Sequence, residues 1–85
     1  MDISKDEQRV LHALAKGGCI TAVKTSSGRI LTVELITREG WKMPGVTPRL
    51  FRKLKAKRAL ASRKGGPYRV TRRGLELVRA QPDNR

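Results

Sequence analysis

Eighty-five residues carry twenty Lys or Arg against seven Asp or Glu, a net charge of +13 that solubility alone does not require. That length allows one domain with one small core and leaves no second lobe to form a deep catalytic cleft. Cys19 is the sole cysteine and His12 the sole histidine, which excludes an internal disulfide and argues against a zinc site.

Ser4 followed three residues later by Glu7 is a capping box, and Asp6 and Glu7 place negative charge in the first turn of the helix that follows. Val10, Leu11 and Leu14 form its inward stripe. Lys5, Arg9, His12 and Lys16 fall on the wet face, so His12 is expected to be a surface histidine. The helix should run from Lys5 to Lys16 and stop at Gly17-Gly18. From Cys19 to Ile36 the pattern changes to period two, interrupted by the turn residues Thr25-Ser26-Ser27-Gly28. This predicts a β-hairpin whose apolar side packs on the first helix. No signal peptide precedes the first helix and no apolar run approaches the ~20 residues of a membrane span, so a cytoplasmic protein with no membrane partner is expected.

Thr37-Arg38-Glu39-Gly40 reads as a tight connection into a short strand, Trp41-Lys42-Met43, with Trp41 expected to plug the edge of the core. Thr47-Pro48 opens a second helix with a hydroxyl cap and a proline at its first position. Leu50, Phe51 and Leu54 cluster on one side of that helix, while Arg49, Arg52, Lys53 and Ala56 point the other way. It should end near Lys57 or Arg58. On the wheel Arg58 lies toward the core, which requires its side chain to snorkel out. Ala59 to Arg63 and Tyr68 to Val70 read as paired strands around Lys64-Gly65-Gly66-Pro67, with Leu60, Tyr68 and Val70 inward and Arg63, Lys64 and Arg69 outward. Thr71 caps a last helix whose core stripe is assigned to Leu75 and Val78, with Gly74 at a close approach. The expected fold is α/β (α+β): a single small winged-helix-like domain over residues 1–80, three helices with an N-terminal β-hairpin and a C-terminal wing hairpin. A polar tail follows at 81–85.

Charge is unevenly placed. Residues 1–36 hold five basic and four acidic side chains, whereas residues 37–85 hold fifteen and three. Between Arg49 and Arg73 there are eleven Lys or Arg and no carboxylate. The candidate partner-binding residues are Arg49, Arg52, Lys53, Lys55, Arg63, Lys64, Arg69, Arg72 and Arg73. Arg72 and Arg73 oppose the helix dipole, at a cost of ~0.3–1 kcal/mol; either they are solvated and tolerated, or an anion binds there. Duplex DNA is the leading partner class and an acidic protein groove its rival. An RNA or ribosomal partner ranks lower, because aromatic residues for base stacking make up only 4% of the chain. No nucleophile motif, metal cluster or phosphate-loop sequence occurs, so the expectation is a protein that is not an enzyme and takes no cofactor or small-molecule substrate.

The residues also resemble a known family. Glu7-Gln8-Arg9, Leu11-His12 and Leu14-Ala15-Lys16-Gly17-Gly18 are similar to the opening of the YjhX family of small bacterial proteins. Ser27-Gly28-Arg29, Val33-Glu34 and Arg38-Glu39-Gly40 match in the middle. Phe51, Lys53-Leu54-Lys55, Pro67-Tyr68-Arg69, Gly74-Leu75 and Val78-Arg79-Ala80-Gln81 continue the match, which ends on Asp83-Asn84-Arg85. The chain departs from that pattern at Cys19 and at Trp41-Lys42-Met43. The resemblance implies the toxin half of a type II toxin–antitoxin pair, an acetyltransferase-like antitoxin, and inhibition of DNA topoisomerase I. The alternative is a nonspecific DNA-binding protein or transcriptional regulator without toxin activity.

Overall fold

A computed structural model describes residues 3–79. Its first helix, α1 (Lys5–Ala15), begins where local chemistry dictates: the Ser4 hydroxyl accepts the Glu7 N–H at 3.1 Å, and the Glu7 carboxylate accepts the Ser4 N–H at 3.0 Å. Gly17, at φ +113°, reverses the chain behind it. Three strands follow, β1 (Cys19–Lys24), β2 (Ile30–Ile36) and β3 (Lys42–Met43), then α2 (Pro48–Ala56). The chain closes with β4 (Leu60–Ser62), β5 (Tyr68–Val70) and α3 (Arg72–Arg79). The expected tail at 81–85 lies outside the described residues.

The strands form one antiparallel sheet of five, in the order β3-β2-β1-β5-β4. β1 and β2 are in register from Cys19↔Ile36 to Val23↔Thr32, and a shift beyond Val23 leaves Leu31 in a bulge. β4 and β5 pair through Leu60↔Val70, Ala61↔Arg69 and Ser62↔Tyr68. A single bridge, Ile20↔Tyr68, joins these two groups of strands into a continuous surface.

The core lies between one face of this sheet and the helices. Val10, Leu11 and Leu14 from α1 meet Ile20, Val33 and Leu35 from the sheet and Leu50, Phe51 and Leu54 from α2, all of them buried. The Phe51 ring stands edge-on to Tyr68, with centroids 4.8 Å apart and planes at 87°, a geometry worth ~0.5–1.5 kcal/mol beyond burial. Glu7 is also buried. Its second carboxylate oxygen lies 2.6 Å from Lys57 Nζ, so the start of α1 is tied to the end of α2.

Three sequence expectations are corrected. Trp41 does not plug the core: it is 73% exposed at the end of the turn between β2 and β3. Thr37 holds that residue by its backbone, donating its N–H to the Trp41 carbonyl at 2.7 Å and accepting the Trp41 N–H on its hydroxyl at 3.0 Å. The stripe of α3 is Gly74, Leu77 and Val78, with Leu75 only half-buried. Gly74 sets that roll, since a Cβ there would lie 2.6 Å from the Ala59 carbonyl oxygen and 2.7 Å from a Val70 methyl. Arg58 lies beyond the end of α2 and is exposed, so its side chain has no core to leave.

Candidate nucleic-acid interface

The surface of interest is built from α2 outward. Thr47 caps the helix, its hydroxyl accepting the Leu50 N–H at 3.1 Å, and Pro48 occupies the first turn. With Leu50, Phe51 and Leu54 held in the core, Arg49, Arg52, Lys53, Lys55 and Ala56 are all exposed. Lys53 and Lys55 sit in the last turn, where positive charge suits the helix dipole. Lys55 also places its ammonium 5.5 Å from the centre of the Tyr68 ring, linking α2 to β5 by a cation–π contact.

The β4–β5 pair continues the basic surface. Arg63, Lys64 and Arg69 are exposed, and the Gly66 N–H closes a turn onto the Arg63 carbonyl at 3.0 Å. Both central residues of that turn, Lys64 at φ +55° and Gly65 at φ +74°, are left-handed, as in a type I′ turn. An open groove runs between the loop at 65–67 and β1, and Lys24, Thr21, Ser62 and Tyr68 line it.

At the base of the pair, Thr71 organises the junction with α3. Its hydroxyl accepts the Gly74 N–H at 3.0 Å as a helix cap and donates to the Arg58 carbonyl at 2.7 Å. Its own N–H bonds the Ala59 carbonyl at 2.9 Å. The start of α3, with exposed Arg72 and Arg73, is thereby tied through Thr71 to Arg58, thirteen positions before Thr71 in the chain.

Among the described residues the ion pairs are Lys42–Glu34 and Lys57–Glu7. None of the candidate contact residues is therefore neutralised by a neighbouring carboxylate among them. Lys57 is different: it lies in the basic segment but is committed to the core-facing Glu7 carboxylate. Burial pushes the Glu7 pKa up, but the hydrogen bond from Lys57 and the Ser4 N–H outweigh it and hold the carboxyl below its ordinary value. Sequence reasoning missed Lys24 and Arg58. Lys24 reaches the groove only because β1 lies beside β5, a long-range pairing with no local signal. Arg58 carried a signal, a helix that must reverse at a residue other than glycine.

No helix among the described residues is long and apolar enough to cross a membrane. Against known families, residues 1–85 match one described as "Putative toxin of bacterial toxin-antitoxin pair". A UPF0386 protein of Chelativorans sp. (strain BNC1) is 60% identical over 85 residues, covering all of both chains. A UPF0386 protein of Rhodospirillum centenum is 58% identical over 85 residues, covering all of this chain and 99% of the relative. One of Hyphomonas neptunium is 54% identical over 84 residues, 99% of each chain. No solved structure matches the chain.

Proposed function

The chain belongs to the YjhX toxin family, and from that premise we propose that it is a non-enzymatic, winged-helix-like toxin that binds duplex DNA and inhibits DNA topoisomerase I. One observation carries the reading. Arg49, Arg52, Lys53, Lys55, Arg63, Lys64 and Arg69 are exposed on a helix and the strand pair that follows it, within a stretch free of carboxylates from Thr47 to Leu75. In this reading α2 is the helix laid on the duplex and β4–β5 is the wing. β1–β3 stand where a helix-turn-helix would have its middle helix, so phosphate contacts dominate and sequence preference is weak.

Membership of a toxin–antitoxin family implies an antitoxin partner. An acetyltransferase-like protein encoded in the neighbouring reading frame is the kind the resemblance points to. Topoisomerase inhibition proceeds by docking on the enzyme with the basic face assisting, because a protein that only coats DNA would inhibit many enzymes alike. The test is a relaxation assay with enzyme, DNA and salt varied, run beside an unrelated DNA-acting enzyme. Near-stoichiometric inhibition of topoisomerase I that carrier DNA does not relieve supports docking. Equal inhibition of both enzymes, abolished by carrier DNA, leaves a nonspecific DNA binder.

A further inference from the structure

Among the described residues, two positions other than glycine have a left-handed backbone, Arg58 at φ +59° and Lys64 at φ +55°. Both are basic, both are exposed, and they bracket β4 at its base and at its outer turn. Left-handed backbone favours glycine, and among side chains Asn and Asp tolerate it best. At the remaining positive-φ positions this chain does use glycine.

The end of α1 provides an internal control for Arg58. The Gly17 N–H bonds the Leu14 carbonyl at 3.0 Å and the Gly18 N–H bonds the Ala13 carbonyl at 3.1 Å. At the end of α2 the Arg58 N–H bonds the Lys55 carbonyl at 2.9 Å and the Ala59 N–H bonds the Leu54 carbonyl at 3.0 Å. These are the same two bonds of a Schellman cap, closed by glycine in one helix and by arginine in the other. Nothing in the fold explains the arginine: its backbone bonds would be made equally by glycine, and no ion pair holds its guanidinium among the described residues. Residues kept in an unfavourable backbone region are a mark of functional sites.

We propose that Arg58 and Lys64 are phosphate-contacting residues, cations fixed at glycine positions so that the basic surface extends from α2 along both ends of β4. The ligand is the phosphodiester backbone of duplex DNA, and the inference rests on the duplex reading above. A short turn held by backbone hydrogen bonds presents each charge from a defined position, with less freedom than a residue on a frayed loop.

The experiment measures binding of a double-stranded oligonucleotide across a salt series for the wild type, R58G, R58K, R58N, K64G and K64R, with a thermal melt of each. Glycine suits the backbone at both sites, so R58G and K64G should melt at or above the wild-type temperature. Each should nevertheless bind more weakly, with the slope of log K against log salt reduced in magnitude by about 0.9, one phosphate contact. R58K and K64R should keep the wild-type slope. R58N, which removes the charge on a side chain that accepts left-handed backbone, should behave as R58G does. Unchanged slopes and affinities in R58G and K64G, with the wild type binding normally, would overturn this inference and leave the duplex reading standing. A wild type whose binding does not respond to salt would overturn both.

Discussion

Helices α1 and α2 stop in the same hydrogen-bonded motif, but their surroundings differ in kind. α1 ends on Gly17 and leads into β1–β3, where the charges of both signs are mixed and Lys42 pairs with Glu34. α2 ends on Arg58 and leads into β4–β5 and the first turn of α3, a stretch with no carboxylate before Glu76. The first region follows the residue preferences of its backbone. The second departs from them at Arg58, at Lys64, and in the first turn of α3, where Arg72 and Arg73 oppose the helix dipole. Each departure adds positive charge to the same stretch. Local preferences are therefore overridden in one direction, toward positive charge.

The two regions are joined at Glu7 and Lys57, and breaking that joint should give one of the largest effects. Glu7→Ala removes a buried carboxylate that both pairs with Lys57 and completes the α1 capping box, at a cost of about 3 kcal/mol, the lower end of the range for buried pairs because Lys57 keeps some water. The pair also sets a pH dependence. Because the folded Glu7 pKa lies below its ordinary 4.5, its stabilisation is complete above that value and is lost as pH falls through the depressed one. Wild-type melting temperature should therefore fall more steeply than that of Glu7→Gln below about pH 4.5. Parallel pH profiles would mean that the pair is not formed in solution.

Within α2 the comparison becomes one of neighbours. Phe51→Ala removes a fully buried ring and should cost ~3–5 kcal/mol, read from a denaturant titration. Arg52→Ala should barely move the melt and should weaken DNA binding. The reverse order would mean that the helix is rolled the other way. Gly74→Ala tests the join between α3 and the basic strands: the new methyl meets Ala59 and Val70, and overpacking of this kind costs ~1–3 kcal/mol.

These contrasts also show how far the sequence could be read. Ser4 and Glu7, Thr47 and Pro48, and the inward trio Leu50, Phe51 and Leu54 act within one or two turns of chain, so their signals are local and the structure places them as expected. The outward basic residues of α2 follow from the same wheel. What was not legible depends on partners far away. Lys57 looked like one more surface cation, because the carboxylate that claims it lies fifty residues earlier. Leu77 was passed over for Leu75 because the roll of α3 is fixed by Gly74 against Ala59, a contact outside the helix itself. Arg58 was placed toward the core by continuing a helical wheel through the residue at which the chain leaves the helix.

Relief of backbone strain is a smaller effect and of opposite sign. A left-handed L-residue costs roughly 1–2 kcal/mol relative to the right-handed form, and glycine lowers that cost while adding entropy to the unfolded chain. Arg58→Gly should therefore raise stability by about 0.5–1 kcal/mol, measured from denaturant midpoints at unchanged m-value. Gly17→Arg at the matching position of α1 should do the opposite. If both substitutions destabilise equally, Arg58 is a structural residue and the contrast between the two helix ends disappears.

A comparably small stability effect should come from Trp41, which the sequence placed at the edge of the core. Trp41 is the only tryptophan, and at 73% exposure it contributes little packing, so Trp41→Ala should change stability by less than about 0.5 kcal/mol. Its fluorescence checks the same point without a mutation. Native emission should be that of a hydrated indole and should shift little on unfolding. β3, which follows Trp41 directly, and β4 are opposite edges of the sheet. Duplex DNA seated toward β4–β5 should therefore leave the emission unchanged, even when binding is saturated. A blue-shifted native emission that reddens on unfolding would mean that Trp41 is covered. Persistence of that shift on dilution would point to burial within one chain, and its loss on dilution to a second copy lying against the β3 edge. Quenching by DNA would instead bring the duplex to the mixed-charge side of the sheet, and the division of the molecule into two regions would have to be redrawn.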